Sequence, residues 1–173
     1  MRQATILWAI GFVFASGLLA ESAAGLKWTA PAGWTSQGPA PFRVVTYSVP
    51  AAAGSVKAEC IVYFFGPGQG GSVEANLARW KGQFSRNGKP AEAKVAKRAV
   101  HGVPVTTIDL GGTYTATGGQ VKEGQGPQSG YRMLAAVAEG PGGNIFIRFI
   151  GPERTVTAGQ AKYEQLLATL QRE

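Results

Sequence analysis

"YRMLAAVAEGPGGNIFIRFIG", residues 131–151, decides the fold class. Two apolar runs flank a "GPGGN" joint in which Gly142 and Gly143 supply the turn. A parallel pair needs a crossover of a dozen residues or more, and this joint is far shorter, so the two strands run antiparallel. Upstream, "AKVAKRAV" and "VPVTTIDLGG" flank His101-Gly102 and repeat the arrangement. Hairpins in place of βαβ crossovers imply a mainly antiparallel sheet.

The rest of the chain fits around these hairpins. "LKWTAPAGW" places Leu26 and Trp28 on one side of an alternating pattern before a turn at Pro31–Gly33. "FRVVTYSVP" alternates Val45, Tyr47 and Val49 against Val44, Thr46 and Ser48, as a strand with one wet face does. "SVKAECIVYFF" is apolar on both faces toward its end, which suits a central strand. Val73, Leu77, Trp80 and Phe84 then recur at helical spacing, with Ser72 as cap, Glu74 at the positive end and "RNGKP" as the stop. Gly82 falls inside this expected helix, at ~1 kcal/mol relative to Ala. Residues 111–130 are glycine-rich without a hydrophobic period, and the expectation is a mobile loop with a short strand at Thr113–Thr115. The last helix turns Tyr163, Leu166, Leu167 and Leu170 inward behind a Thr157–Gln160 capping box. The order β-β-β-α-β-β-β-β-α describes an α+β domain, an antiparallel sheet covered by two amphipathic helices.

The start of the 173-residue chain has a different character. Arg2, an uncharged stretch from Gln3 to Ala20 and small residues through Ala24 have the layout of a secretory signal peptide. The expected cleavage precedes Gly25, with a cut after Ala20 as the alternative. That leaves a domain at 25–173, exported to a periplasmic or similar compartment, held to the membrane only by a partner or a retained leader. The single Cys60 alternates with Ala58 and Val62, so a buried thiol is expected, and no intrachain disulfide can form.

Net charge is +7, unevenly spread. Arg79, Lys81, Arg86, Lys89, Lys94, Lys97 and Arg98 crowd one segment, opposed there by Glu92. Outside the cytoplasm such a surface meets anionic lipid, an envelope polymer or an acidic protein more readily than nucleic acid, for which no motif is present. Trp34, just past the Pro-Ala-Gly turn, is expected to be partly exposed, and it joins these basic residues as a candidate partner-binding site. Gly66-x-Gly68-x-x-Gly71 has the spacing of a dinucleotide fingerprint. It lacks the βαβ unit and the acidic residue that holds a ribose, and no Gly-Lys-Ser/Thr is present, so a tight corner is expected and no nucleotide.

Catalytic groups are scarce. His101 and Asp109 are the sole residues of their kinds, and a hairpin tip gives His101 little shelter from water. No Gly-x-Ser-x-Gly elbow, zinc-ligand set or carboxylate pair stands out, so no enzyme, metal or cofactor is expected.

Three segments then share a pattern: "LKWTAPAGW", "YRMLAAVAEGPGGNIFIRFIGPERTV" and "YEQLLATL". An early Pro-x-Gly-Trp turn, a late hairpin ending Phe-x-Gly-Pro and a closing helix resemble exported bacterial proteins with the PsbP-like fold. The resemblance spans most of residues 26–170 and implies an α-β-α sandwich. PsbP-like proteins serve as extrinsic subunits or assembly factors on photosynthetic membrane complexes, and a related nuclear import factor binds a GTPase. Metal binding known for some members is not carried over, since His101 and scattered carboxylates offer no ligand set. The resemblance thus implies a non-enzymatic accessory or binding module that docks on a membrane-associated complex or envelope component. A small-ligand or lipid carrier with an apolar pocket between sheet and helix is the alternative, and a hydrolase the third.

Overall fold

The decisive hairpin runs further than its apolar core. In the computed structural model, which describes residues 20–117 and 126–173, its strands span Gln128–Gly140 and Gly143–Pro152, and Pro141-Gly142 make the turn. Ten consecutive pairs hold the register, from Tyr131 opposite Pro152 to Gly140 opposite Gly143.

In chain order the elements begin with β1 (Ala20–Ala23), β2 (Leu26–Thr29), β3 (Thr35–Ser36), β4 (Arg43–Val49) and β5 (Ala58–Tyr63). Helix α1 (Val73–Lys81) follows, then β6 (Phe84–Arg86), β7 (Lys89–Pro90), β8 (Ala93–Val100) and β9 (Val103–Tyr114). The chain finishes with β10 (Gln128–Gly140), β11 (Gly143–Pro152), α2 (Glu153–Ala168) and β12 (Gln171–Arg172). A nine-stranded sheet has the order β3-β4-β5-β11-β10-β9-β6-β7, and β8 also pairs with β9. A second sheet is β1-β2-β12. Every pairing between these strands is antiparallel, as the hairpins imply.

Alternation along β10 and β11 feeds two cores. Leu134, Ala136, Ala138, Ile145, Ile147 and Phe149 face α2 and meet Tyr163, Leu166 and Leu167. Met133, Ala135, Val137 and Phe146 face the other way and pack with Trp80 of α1. Both faces bury apolar side chains along the middle of these strands, which therefore read as near-continuous apolar runs. Gly159 lets α2 lie on the sheet: a Cβ there would stand 2.7 Å from Phe149 Cζ. Beside this close contact a small recess of about 180 Å³ remains between the sheet and α2, lined by Leu134, Ile108, Gln160 and Tyr163 among others.

Several boundaries differ from the sequence reading. Gly111–Tyr114 belong to β9, and the expected loop shrinks to the segment between Tyr114 and Gln128, of which 118–125 lie outside the described residues. Gly112 is glycine because β6 crosses it closely: a Cβ there would be 2.3 Å from the Ser85 carbonyl oxygen. α1 ends at Lys81, with Gly82 as its cap and Phe84 already in a strand. Asn87-Gly88, both at positive φ, form the β6–β7 turn instead of stopping a helix. α2 begins a turn earlier than the capping box proposed, since Pro152 leads directly into it. Thr157 is inside the helix, and its hydroxyl accepts from Arg132 Nη1 at 2.9 Å.

β1 bears on the expected leader. Ala20–Ala23 pair with Leu26–Thr29, and the Ala24 carbonyl accepts from Gly142 N–H at 2.9 Å. A cut after Ala20 keeps Glu21–Ala23 of this strand, whereas a cut before Gly25 removes the strand. Residues 1–19 lie outside the described residues. Among the described residues no helix is long and apolar enough to cross a membrane.

Candidate functional site

The basic segment does not form one face, because its residues fall on successive strands whose side chains alternate. Arg86 on β6, Lys89 on β7 and Lys94 on β8 converge on a recess of about 670 Å³. Its floor carries Asp109 and Arg132, which form a two-pronged pair: Arg132 Nε donates to Asp109 Oδ1 at 3.0 Å and Nη2 to Oδ2 at 2.8 Å. The carboxylate holds the Arg132 guanidinium above its usual pKa despite partial burial. That pair is neutral, which leaves Arg86, Lys89 and Lys94 against Glu92 and Glu153 around the opening.

The other basic candidates go elsewhere. Arg98 turns toward α2 and pairs with Glu164 at 2.6 Å. Lys97 points to the opposite face, opening on a recess with Ser72 and Glu74. Arg79 and Lys81 ride on α1, where the Arg79 guanidinium bonds Asn76 Oδ1. Burial, then the nearby charge of Arg148, lower the Arg79 pKa.

Trp34 is buried, contrary to the partial exposure expected from its turn. It is 8% exposed, with its ring 5.2 Å from Phe149 and 6.1 Å from Tyr47 between centroids. The Pro31–Gly33 turn folds the indole into the core, so Trp34 offers no partner surface.

The glycine corner serves α1. Gly66, Gly68, Gly70 and Gly71 all have positive φ. Ser72 Oγ accepts from Ala75 N–H at 3.1 Å, while Asn76 Nδ2 donates to the Gly70 and Ser72 carbonyls at 2.8 and 2.9 Å. The helix N-terminus is capped by its own chain, and α1 leads into β6, which pairs antiparallel with β7 and β9. The βαβ context that gives the fingerprint its meaning is therefore not built.

Sequence reasoning missed a feature of the sheet itself. α1 covers one end of the face opposite α2, and beyond it lies a groove of about 400 Å³. Arg43, Glu59, Tyr63, Tyr114, Tyr131 and Arg148 line it. Arg148 is 3% exposed although charged. The signal was present in "IFIRFIG", where an arginine interrupts an otherwise apolar strand.

Comparison with known proteins bears on the scaffold. No family model matches the chain, and no curated protein matches it. Among solved structures, CyanoP, the cyanobacterial PsbP of Synechocystis, aligns over 96% of this chain and 99% of its own, with a TM-score of 0.54 and 14% identity. The chain has the PsbP-like fold. PA94 of Pseudomonas aeruginosa, a protein of unknown function with a suggested regulatory role, aligns over 90% of this chain and 97% of its own. Its TM-score is 0.54 and its identity 13%.

This PsbP-like scaffold keeps the candidate catalytic groups apart. His101 occupies the β8–β9 turn at φ 47°, and its Nδ1 lies 2.9 Å from the Leu170 carbonyl oxygen. Asp109 is far along β9, roughly 20 Å away at strand rise, and engaged by Arg132. Cys60 is fully buried, and burial pushes its thiol pKa well up, so it stays protonated and unreactive. Among the described residues no group of three or more His, Cys, Asp or Glu side chains is placed to hold a metal ion.

Proposed function

We propose that the protein is a non-enzymatic, exported accessory module that docks on a membrane-associated complex or envelope component. The observation that supports this reading is the convergence of Arg86, Lys89 and Lys94 from three strands on one open recess. These cations lie at the sheet end formed by β6, β7 and β8, where six consecutive residues of β8 are exposed. Lysines on such strands also hinder edge-to-edge aggregation. A cluster drawn from three strands around a recess goes beyond that need and suits a projecting acidic segment of a partner protein. The fold it shares with CyanoP is consistent with an accessory role.

Pull-down from native membranes tests the reading. The triple variant R86E/K89E/K94E should lose its partner, and added salt should weaken capture by the unaltered chain, because exposed charges are screened over ~8 Å at physiological ionic strength. Unchanged capture by the triple variant would sink the proposal. Binding to protein-free vesicles of anionic lipid, lost in the same variant, would replace the protein partner with a lipid surface.

A further inference from the structure

The open groove opposite α2 has its own chemistry. Arg148 sits on β11 between Ile61 of β5 and Ala135 of β10, in the middle of the large sheet. No carboxylate among the described residues lies within ion-pair distance of it. Its Nε faces Met133 Sδ at 3.4 Å and its Nη2 faces Tyr114 Oη at 3.4 Å, both long contacts to weak or neutral acceptors. Nη1 has no hydrogen-bond partner among the described residues, yet it is not one of the sealed polar atoms, so it opens onto the groove. A guanidinium removed from water without a counter-charge is unfavourable unless something anionic completes it.

The surroundings are built to the same purpose. Arg43 stands over the Tyr63 ring at 5.8 Å and adds a second cation at the rim. Tyr114 and Tyr131 stack with centroids 6.2 Å apart and an interplanar angle of 11°. The edges of this aromatic cluster, with the Tyr131 ring at its end, supply an apolar wall, and the Tyr131 hydroxyl supplies a donor. Glu59 is the acidic residue in the lining, against Arg43, Lys57 and Arg148, so the groove favours anions. Its volume of about 400 Å³ suits a small molecule and lies in the range of ligand pockets.

We propose that this groove binds a small organic anion, its carboxylate or phosphate on Arg148 and its planar body against the tyrosines. The geometry leaves Nη1 as the donor that meets the anion, in the charge-assisted manner in which arginine holds carboxylate and phosphate. Arg43 then steers the ligand from the rim. This site is on the opposite face from the Arg86–Lys89–Lys94 recess and does not depend on docking there.

Titration of the isotope-labelled full chain, followed by nuclear magnetic resonance, tests it with phenylacetate and phenyl phosphate as separate probes and benzylamine as the cationic control. At millimolar concentration at least one anion should shift the Arg148 side-chain Nε–H and the signals of Tyr63 and Tyr131, and benzylamine should not. The stronger of the two anions tells a carboxylate ligand from a phosphate one. R148M, which keeps the stem and removes the charge, should weaken binding at least tenfold, and R43Q severalfold. R43Q is at a partly exposed position, so it carries the test if R148M does not fold. The proposal is overturned if neither anion shifts these signals, if the shifts map to Arg86 and Lys94, or if benzylamine binds equally. It also fails if R43Q binds unchanged, or if an acidic hexapeptide binds the groove while both small anions do not.

Discussion

Single residues carry the tight points of this structure. Gly70 has φ +85°, and a Cβ added there would stand 2.6 Å from Phe146 Cε2 and 2.8 Å from Phe65 Cδ2. Gly68 has φ +69° with nothing within 4 Å. Two alanine substitutions therefore separate backbone strain from steric conflict. Gly68→Ala should cost about 1–2 kcal/mol, the left-handed penalty alone. Gly70→Ala adds overpacking and should cost about 2–4 kcal/mol. Denaturant midpoints measured at constant slope check the difference, and equal losses would show that the aromatic pair moves aside freely. The motif's glycine spacing was legible in sequence. Which glycine faces a ring was not, because Phe146 comes from a strand more than seventy residues away.

At the scale of elements, two ion pairs tie strands to α2 or to each other with unequal effect. Arg98 of β8 and Glu164 of α2 are 43% and 45% exposed in their side chains. Such pairs are worth little in water, so Glu164→Gln should change stability by about 0.5 kcal/mol or less. Arg132 and Asp109 are 15% and 30% exposed and joined by two bonds, and Arg132 reaches on to Thr157 of α2. Asp109→Asn leaves the guanidinium half-satisfied and should cost about 1–3 kcal/mol. Thermal unfolding of the two variants should separate them clearly, and a larger loss from Glu164→Gln would reverse the assignment. Both strands of the β8–β9 hairpin were readable from period and turn residues. The short β6, β7 and β12 were not: strands of two or three residues hold no period, and they form because a neighbouring edge is available to pair with.

For the whole molecule, burial without a disulfide has a consequence at alkaline pH. Burial raises the pKa values of Cys60, Tyr47 and Tyr163 above their ordinary ranges. In the unfolded chain the thiol ionises near ~8.5 and the phenols near ~10. Above those values the folded chain retains protons the unfolded chain has released, so folding stability falls as pH rises. Each group contributes about 1.4 kcal/mol per pH unit, Cys60 first and the tyrosines above ~10. Urea unfolding between pH 8 and pH 11 checks this, and Cys60→Ala should flatten the curve below pH 10. Constant stability through pH 10 in the unaltered chain would refute the account.

The sequence alone determined the antiparallel class, both helices, the buried Cys60 and the inward face of α2, because each rests on local periodicity or on joints too short for a crossover. Its likeness to the PsbP-like fold rested on turns and a closing helix that lie far apart, and the architecture agrees with it. Only the tertiary structure decided which cations stand together. Side chains on successive strands alternate, so a continuous basic run divides among a recess, an ion pair with Glu164 and the outer face of α1. The same layering buried Trp34, which turn chemistry alone placed near solvent. It also set Arg148 under an open groove, since a strand's sequence names its side chains but not which stretch of a sheet a nine-residue helix leaves uncovered.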